Sequence, residues 1–275
     1  MSTPLRIPAF EPAEWAGIRH GWVTVGQGRA HYAEAGDGPT VVLAAGLGLS
    51  TRFYEPALAT FAEAGLRLIV PDLPGCGRTS GLATGCAVPR LAEWLIGFAD
   101  ALALAAPAWL GHSIGCQVAL DIAARAPERA AALVLAGPTG ESGRYRLLRQ
   151  VAVLPRAAVR EPPALIWAVL RDYVRVLPSA YLGSWLRAGR DQPTEKLERV
   201  RCPTLVLVGE HDPVPAPQLL ARLRYALRSG RMVQVRGGGH GLPRDAVEAF
   251  TAAAAPFLHA HAERGATPSA IEGVG

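Results

Sequence analysis

Ala108-Trp109-Leu110-Gly111-His112-Ser113-Ile114-Gly115-Cys116-Gln117-Val118-Ala119-Leu120-Asp121-Ile122-Ala123 is the stretch on which the reading of this 275-residue chain turns. An apolar run enters it, a serine between two glycines forms its centre, and a run of helical length leaves it. The pattern predicts a strand, a sharp elbow and a helix. A serine held on such an elbow must adopt strained dihedrals, and glycine is needed on both sides because a Cβ there would collide with neighbouring backbone. A helix N-terminus merely capped by serine would account for Ser113 but not for Gly111 and Gly115.

Outward from the elbow the chain alternates. Short runs rich in Val, Leu and Ile, bounded by Gly or Pro, occur at 40–45, 67–70, 108–110, 132–136, 204–208 and 232–235. They read as strands covered on both faces. Helix-length segments at 54–64, 89–104, 114–126, 217–227 and 243–258 separate them. At the front, 22–25 and 30–35 alternate around Gly26-Gln27-Gly28, the pattern of a hairpin. The fold class is therefore α/β, a doubly wound and mostly parallel sheet with helices on both faces. From 141 to 196 no strand is expected, and apolar residues at helical spacing carry arginines from Arg144 to Arg190. The organisation read from this is a core over 1–140, a helical insertion over 141–196, a second part of the core over 197–260 and a flexible tail over 261–275.

Composition narrows the function classes. Half of the residues are hydrophobic and 19% charged, with 30 Gly and 23 Pro, which excludes disorder, collagen and coiled coil. The net charge of +5 is carried almost wholly by arginines interspersed with acidic residues, Lys196 being the sole lysine. Such a pattern forms no phosphate track, so no nucleic-acid partner is expected. Cys76, Cys86, Cys116 and Cys202 make no C-x-x-C pair and read as reduced thiols, Cys116 packing against the sheet. No apolar run reaches membrane-spanning length, and the first twenty residues are broken by Pro4, Pro8, Glu11, Pro12 and Glu14. The expectation is a soluble, cytoplasmic protein with no membrane partner; its oligomeric state is left open.

A serine hydroxyl is a poor nucleophile near neutral pH and needs a base, which in turn needs an acid to hold its tautomer. The strand at 204–208 runs into Gly209-Glu210-His211-Asp212-Pro213-Val214, which places Asp212 on a loop at a strand's carboxyl end. The strand at 232–235 runs into Gly237-Gly238-Gly239-His240-Gly241, a histidine set among glycines. Taken singly, Asp212-Pro213 could be a turn starter and His240 a surface loop residue. Ser113, Asp212 and His240 in that order on three strand ends point to nucleophile, acid and base. His112 reads as a packing residue, and His259 with His261 is too little for a metal site. No metal and no cofactor are expected.

With these residues the chain, from about Trp22 to Leu258, resembles the α/β-hydrolase fold family. Pro71-Asp72-Leu73-Pro74-Gly75-Cys76-Gly77-Arg78-Thr79-Ser80 is similar to a loop of that family in which Asp72 would be structural. The resemblance implies an oxyanion hole made by the backbone N–H groups of Ile114, after the nucleophile, and of Leu47 in Ala44-Ala45-Gly46-Leu47-Gly48. Many members have His-Gly where this chain has Ala45-Gly46, a departure that leaves a backbone donor available. The resemblance also gives a runner-up acid, Glu141, after the preceding strand, with Asp212 fitting the commoner arrangement. The insertion 141–196 corresponds to a cap that roofs the pocket; Trp167, Tyr173, Tyr181 and Trp185 are its candidate pocket residues, although aromatics at helical spacing are more often a packing face. A cap arginine could bind a substrate carboxylate by a bidentate fork, a solvated helix face being the bland alternative.

The resemblance leaves three readings of function. The first is a serine hydrolase cleaving an ester, lactone or thioester of a small molecule through an acyl-enzyme. The second is a carbon–carbon bond hydrolase of vinylogous diketo acids, and the third a non-catalytic ligand receptor. Serine at the elbow argues against haloalkane dehalogenase and epoxide hydrolase chemistry, which require a carboxylate nucleophile.

Overall fold

The structure, a computed structural model, describes residues 17–80, 86–140, 169, 170, 172, 178–226 and 231–262. Its eight strands are β1 (Arg19–Val25), β2 (Gly28–Ala35), β3 (Thr40–Ala44), β4 (Arg67–Pro71), β5 (Ala108–His112), β6 (Leu133–Ala136), β7 (Thr204–Gly209) and β8 (Arg231–Val235). They form one sheet in the order β1-β2-β4-β3-β5-β6-β7-β8. The most apolar runs of the sequence occupy its middle: β3, β4, β5 and β6 are buried along their whole length. β1 and β2 pair antiparallel, β2 joins β4 antiparallel, and every pairing from β4 to β8 is parallel. The alternation expected of the front hairpin survives only in β1. Residues 30–35 of β2 are all buried, because β2 is an interior strand flanked by β1 and β4. The buried guanidinium of Arg67 in β4 is paired with Glu34 of β2, Nε to Oε2 at 2.9 Å and Nη2 to Oε2 at 2.6 Å. A buried charge persists only when so partnered.

The helices are α1 (Glu55–Glu63), α2 (Val88–Ala101), α3 (Gly115–Arg125), α4 (Pro178–Ala188), α5 (Pro193–Lys196), α6 (Pro217–Ala226), α7 (Leu242–Asp245) and α8 (Val247–His261). Several ends differ from the pattern in the sequence. α2 stops at Ala101 although apolar periodicity continues to Leu104, because Ala103 takes φ 55° and the Leu104 N–H returns to the Ala99 carbonyl at 2.9 Å. This is a left-handed helix stop, here built on Ala instead of the usual Gly. The single helix expected over 243–258 is two, α7 and α8, broken at Ala246 with φ −136°. A 3₁₀ turn over Thr51–Tyr54 precedes α1.

Topology positions the site. From β3 the chain crosses by α1 to β4 on one side, whereas from β5 it crosses by α3 to β6 on the other. Right-handed crossovers in opposite directions put α1 and α3 on opposite faces; α8 packs on α1 and α2 on α3. The carboxyl ends of β3 and β5, adjacent in register at Ala44 and Gly111, thus part their loops to opposite faces. A doubly wound sheet binds ligands in the crevice opened there.

Candidate active site

Ser113 lies at that crevice with φ 56°, in the left-handed region that side chains rarely adopt. The strain is held from both sides: the Ser113 N–H donates to the Ala136 carbonyl of β6 at 3.0 Å, and its own carbonyl accepts from Cys116 N–H at 3.0 Å. The flanking glycines have the steric reason the sequence suggested. A Cβ on Gly111 would stand 2.5 Å from the Gly115 carbonyl oxygen, and one on Gly115 would stand 1.9 Å from the Ala44 carbonyl oxygen. Both neighbours are backbone, one at the head of α3 and one at the end of β3, and neither can give way as the end of a flexible side chain could. Gly115→Ala is therefore expected to lower stability by about 3 kcal/mol or more, a fall in Tm of roughly 10 °C for a domain of this size. Calorimetry of the variant checks this.

His240 follows β8 and Asp212 follows β7, and the fold brings both to Ser113. His240 Nε2 is 2.9 Å from Ser113 Oγ, and His240 Nδ1 is 2.9 Å from Asp212 Oδ2. The Asp212 carboxylate is fully buried and the imidazole 17% exposed. The other carboxylate oxygen accepts from the Val214 N–H at 2.9 Å, which leaves Oδ2 aimed at the histidine. Below them the chain leaving β6 contributes Gly137 at φ 56°, where a Cβ would come within 3.1 Å of Asp212 Oδ2 and 3.2 Å of His240 Nδ1. The seat beside the imidazole is thus filled from β7; Glu141 lies outside the described residues.

Of the two expected oxyanion donors, one adjoins the serine in the chain and the other follows a residue packed against it. Ile114 follows it at the head of α3, whose N-terminus carries partial positive charge toward the crevice. Gly46, preceding Leu47, packs so closely on the elbow that a Cβ would lie 3.6 Å from Ser113 Cβ. Among the described residues neither the Leu47 nor the Ile114 N–H is given to a protein acceptor.

The sequence profile of the alpha/beta hydrolase family matches residues 41–254, which includes every residue of this constellation. The chain belongs to that family. It is 36% identical over 147 residues to a protein of Variovorax paradoxus (strain S110) named "Putative carbamate hydrolase RutD", covering 50% of this chain and 55% of the relative. It is 29% identical over 207 residues to the haloalkane dehalogenase of Mycolicibacterium paratuberculosis (strain ATCC BAA-968 / K-10), covering 68% and 64%. In both the match spans less than two thirds of the relative. Among solved structures, the enol-lactonase from Burkholderia xenovorans LB400 superposes with a TM-score of 0.74 at 21% identity, over 86% of this chain and 99% of that one. This last likeness is one of fold.

Within this alpha/beta hydrolase, the structure adds two side chains that the sequence did not single out. His112, read as a packing residue, is 2% exposed, yet both its nitrogens are engaged. Nδ1 lies 2.9 Å from Tyr54 Oη and Nε2 lies 2.9 Å from the His240 carbonyl oxygen. Tyr54, fully buried at the end of the 3₁₀ turn, also accepts the Gly46 N–H at 2.7 Å. No motif could reveal Tyr54, since its partners come from the loop after β3 and from the end of β5. Burial, and secondarily the nearby His240, push the His112 imidazole from 6.5 down to about 4. The unfolded chain takes up a proton between those values that folded His112 refuses, so this contribution is intact above pH 6.5 and lost as pH falls toward 4. His112→Gln should therefore show a shallower loss of Tm over that window, a difference on the order of 3 kcal/mol, read from thermal melts at pH 7 and pH 4.

Asp72 is structural, as expected: its oxygens accept from Thr51 N–H at 2.7 Å and Arg78 N–H at 2.9 Å, with His31 Nδ1 at 2.7 Å. Cys116 is buried with its thiol directed at the Gly111 and Ala136 carbonyls. Of the candidate pocket aromatics, Trp185 is half-buried on α4; Tyr181 lies on α4 with its side chain outside the description, and Trp167 and Tyr173 lie outside the described residues. Among the described residues no cluster of ligating side chains could hold a metal, and no helix is long and apolar enough to cross a membrane.

Proposed function

We propose that this protein is a serine hydrolase that cleaves a small-molecule carboxylic ester, lactone or thioester through an acyl-enzyme. The observation that carries the reading is the continuous chain Ser113 Oγ, His240, Asp212, with 2.9 Å at each link. His240 Nε2 takes the hydroxyl proton as Ser113 Oγ attacks the substrate carbonyl carbon. Charge then develops on the carbonyl oxygen, which Leu47 and Ile114 N–H groups stabilise. The tetrahedral species collapses, His240 returns the proton to the leaving oxygen or sulfur, and the acyl group stays on Ser113. Water repeats the sequence with His240 as base and releases the acid. Asp212 keeps the imidazole in the tautomer with its Nδ1 proton facing the carboxylate throughout.

Relatives with other names do not redirect this reading. Dehalogenation needs a carboxylate at the elbow, and this elbow holds a serine. Residues 141–196 are taken as a cap over the crevice. In support, the described part of that segment contains the helices α4 and α5, and Asp172 accepts both the N–H and the hydroxyl of Ser50, at 2.7 and 2.8 Å, at the end of the loop that carries Leu47. The test is a panel of chromogenic esters of rising acyl length, run beside lactones, thioesters and a vinylogous diketo acid. Turnover of the first three classes is expected. Turnover of the diketo acid alone would move the assignment to carbon–carbon hydrolysis, and binding without turnover of any class would make the protein a receptor.

A further inference from the structure

We propose that Tyr54 and His112 are positioning residues: a single directed hydrogen-bond chain through their side chains holds the loop of the Leu47 donor and the loop of the His240 base in one fixed relation. The proposal rests on the serine-hydrolase reading for its consequence, but its geometry is independent of it. The chain begins at a group that can only donate, the Gly46 N–H, and ends at one that can only accept, the His240 carbonyl. Its ends dictate every link between. Tyr54 Oη accepts from Gly46, so its own proton is free to go to His112 Nδ1, 2.9 Å away; that nitrogen must then be the bare one, and Nε2–H donates to the His240 carbonyl.

This arrangement requires a neutral imidazole, and full burial holds His112 neutral above about pH 4. The ring is packed between aromatic neighbours: Phe53 stacks on it at 5.8 Å and 15°, and the His240 ring lies 5.6 Å away. A second tie joins the same two regions. Arg244, on α7 just after the base loop, donates to the carbonyls of Arg52 and Phe53 at 3.3 and 3.2 Å, in the turn that ends at Tyr54. Neither loop belongs to the sheet, so without such ties each could shift independently of the other. A hydrolase needs them in register, because a donor or base displaced by about 1 Å can cost on the order of 10² in rate.

The test has two readouts on the full chain. For ester hydrolysis, Tyr54→Phe, which removes one oxygen, is expected to lower kcat by about 10- to 100-fold with KM within about twofold, since the hydroxyl is spent on protein partners. His112→Asn leaves an acceptor near the Nδ1 position but no donor for the His240 carbonyl, and a similar loss is expected. The double variant should be no slower than the slower single one, because a chain is broken only once. Losses that multiply would show two separate structural roles and overturn the proposal.

The second readout is hydrogen–deuterium exchange of peptides covering 44–49 and 238–241, which does not depend on turnover. Tyr54→Phe should speed exchange in both, including the loop it does not touch. Faster exchange confined to 44–49 overturns the coupling whether or not the enzyme is active. If Tyr54→Phe does not fold, His112→Gln, which keeps a donor near Nε2 and loses the acceptor for Tyr54, is read by the same pair of peptides, and faster exchange is then expected in 44–49 as well as 238–241. Wild type that neither turns over the ester panel nor takes a fluorophosphonate label would defeat the hydrolase reading separately, and the exchange result would still decide the coupling.

Discussion

Ser113→Ala is expected to reduce ester turnover by about six orders of magnitude and to abolish labelling by a fluorophosphonate probe. The expectation follows from how the site is built. The hydroxyl is the atom 2.9 Å from His240 Nε2, and it sits on a residue held at φ 56°. Cys116 is the nearest thiol in sequence, but burial raises its pKa well above 9.0, and its Sγ is occupied by the Gly111 carbonyl at 3.1 Å. Residual hydrolysis should be limited to what substrate binding and the Leu47 and Ile114 donors supply without covalent chemistry. The measurement is probe labelling of wild type and variant, followed by peptide mapping. An equally labelled Ser113→Ala protein would remove the nucleophile assignment.

Asp212→Asn should lower kcat by a factor on the order of 10⁴ with little change in fold. An asparagine at this position can present its amide to His240 Nδ1, so the imidazole proton moves to Nε2, the nitrogen that faces Ser113. A base that already carries its proton there cannot accept one from the hydroxyl. The Val214 N–H, which donates to Asp212 Oδ1 at 2.9 Å, would favour that orientation of the amide by keeping its carbonyl oxygen for itself. Glu141→Gln is the paired control and should retain most of the rate. Kinetics of the two variants on one ester decide between them: loss with Glu141→Gln and retention with Asp212→Asn would reverse the choice of acid.

The elbow was legible because its constraint is local. Gly111 and Gly115 are demanded by backbone contacts at 2.5 and 1.9 Å, and contacts so short admit one residue type, which leaves a mark in the sequence. The positions of Asp212 and His240 were legible for a related reason. Each lies on a loop leaving a parallel strand, and parallel strands deliver their carboxyl ends to one edge of the sheet. The expectation that both strands are covered on two faces holds for β7 but not for β8, an edge strand of which only Val235 is buried. Strand order was less accessible. Nothing in the runs 40–45 and 67–70 distinguishes which is central, and the burial of β2 along 30–35 came from its neighbours on either side. Helix ends were misjudged where one residue's conformation decided them, at Ala103 and Ala246.

Alone, the sequence determined the α/β class, the glycine-flanked serine elbow and the placing of Ser113, Asp212 and His240 on loops after strands, because each of these is written in periodicity or in a steric demand on adjacent residues. Only the tertiary structure decided that three residues up to 127 positions apart meet at hydrogen-bonding distance. It alone decided, too, that Tyr54 and His112 join the loop of Leu47 to the loop of His240. Hydrogen bonds between distant loops act over about 3 Å and impose no spacing on the chain, so they become visible only once the backbone has brought their partners together.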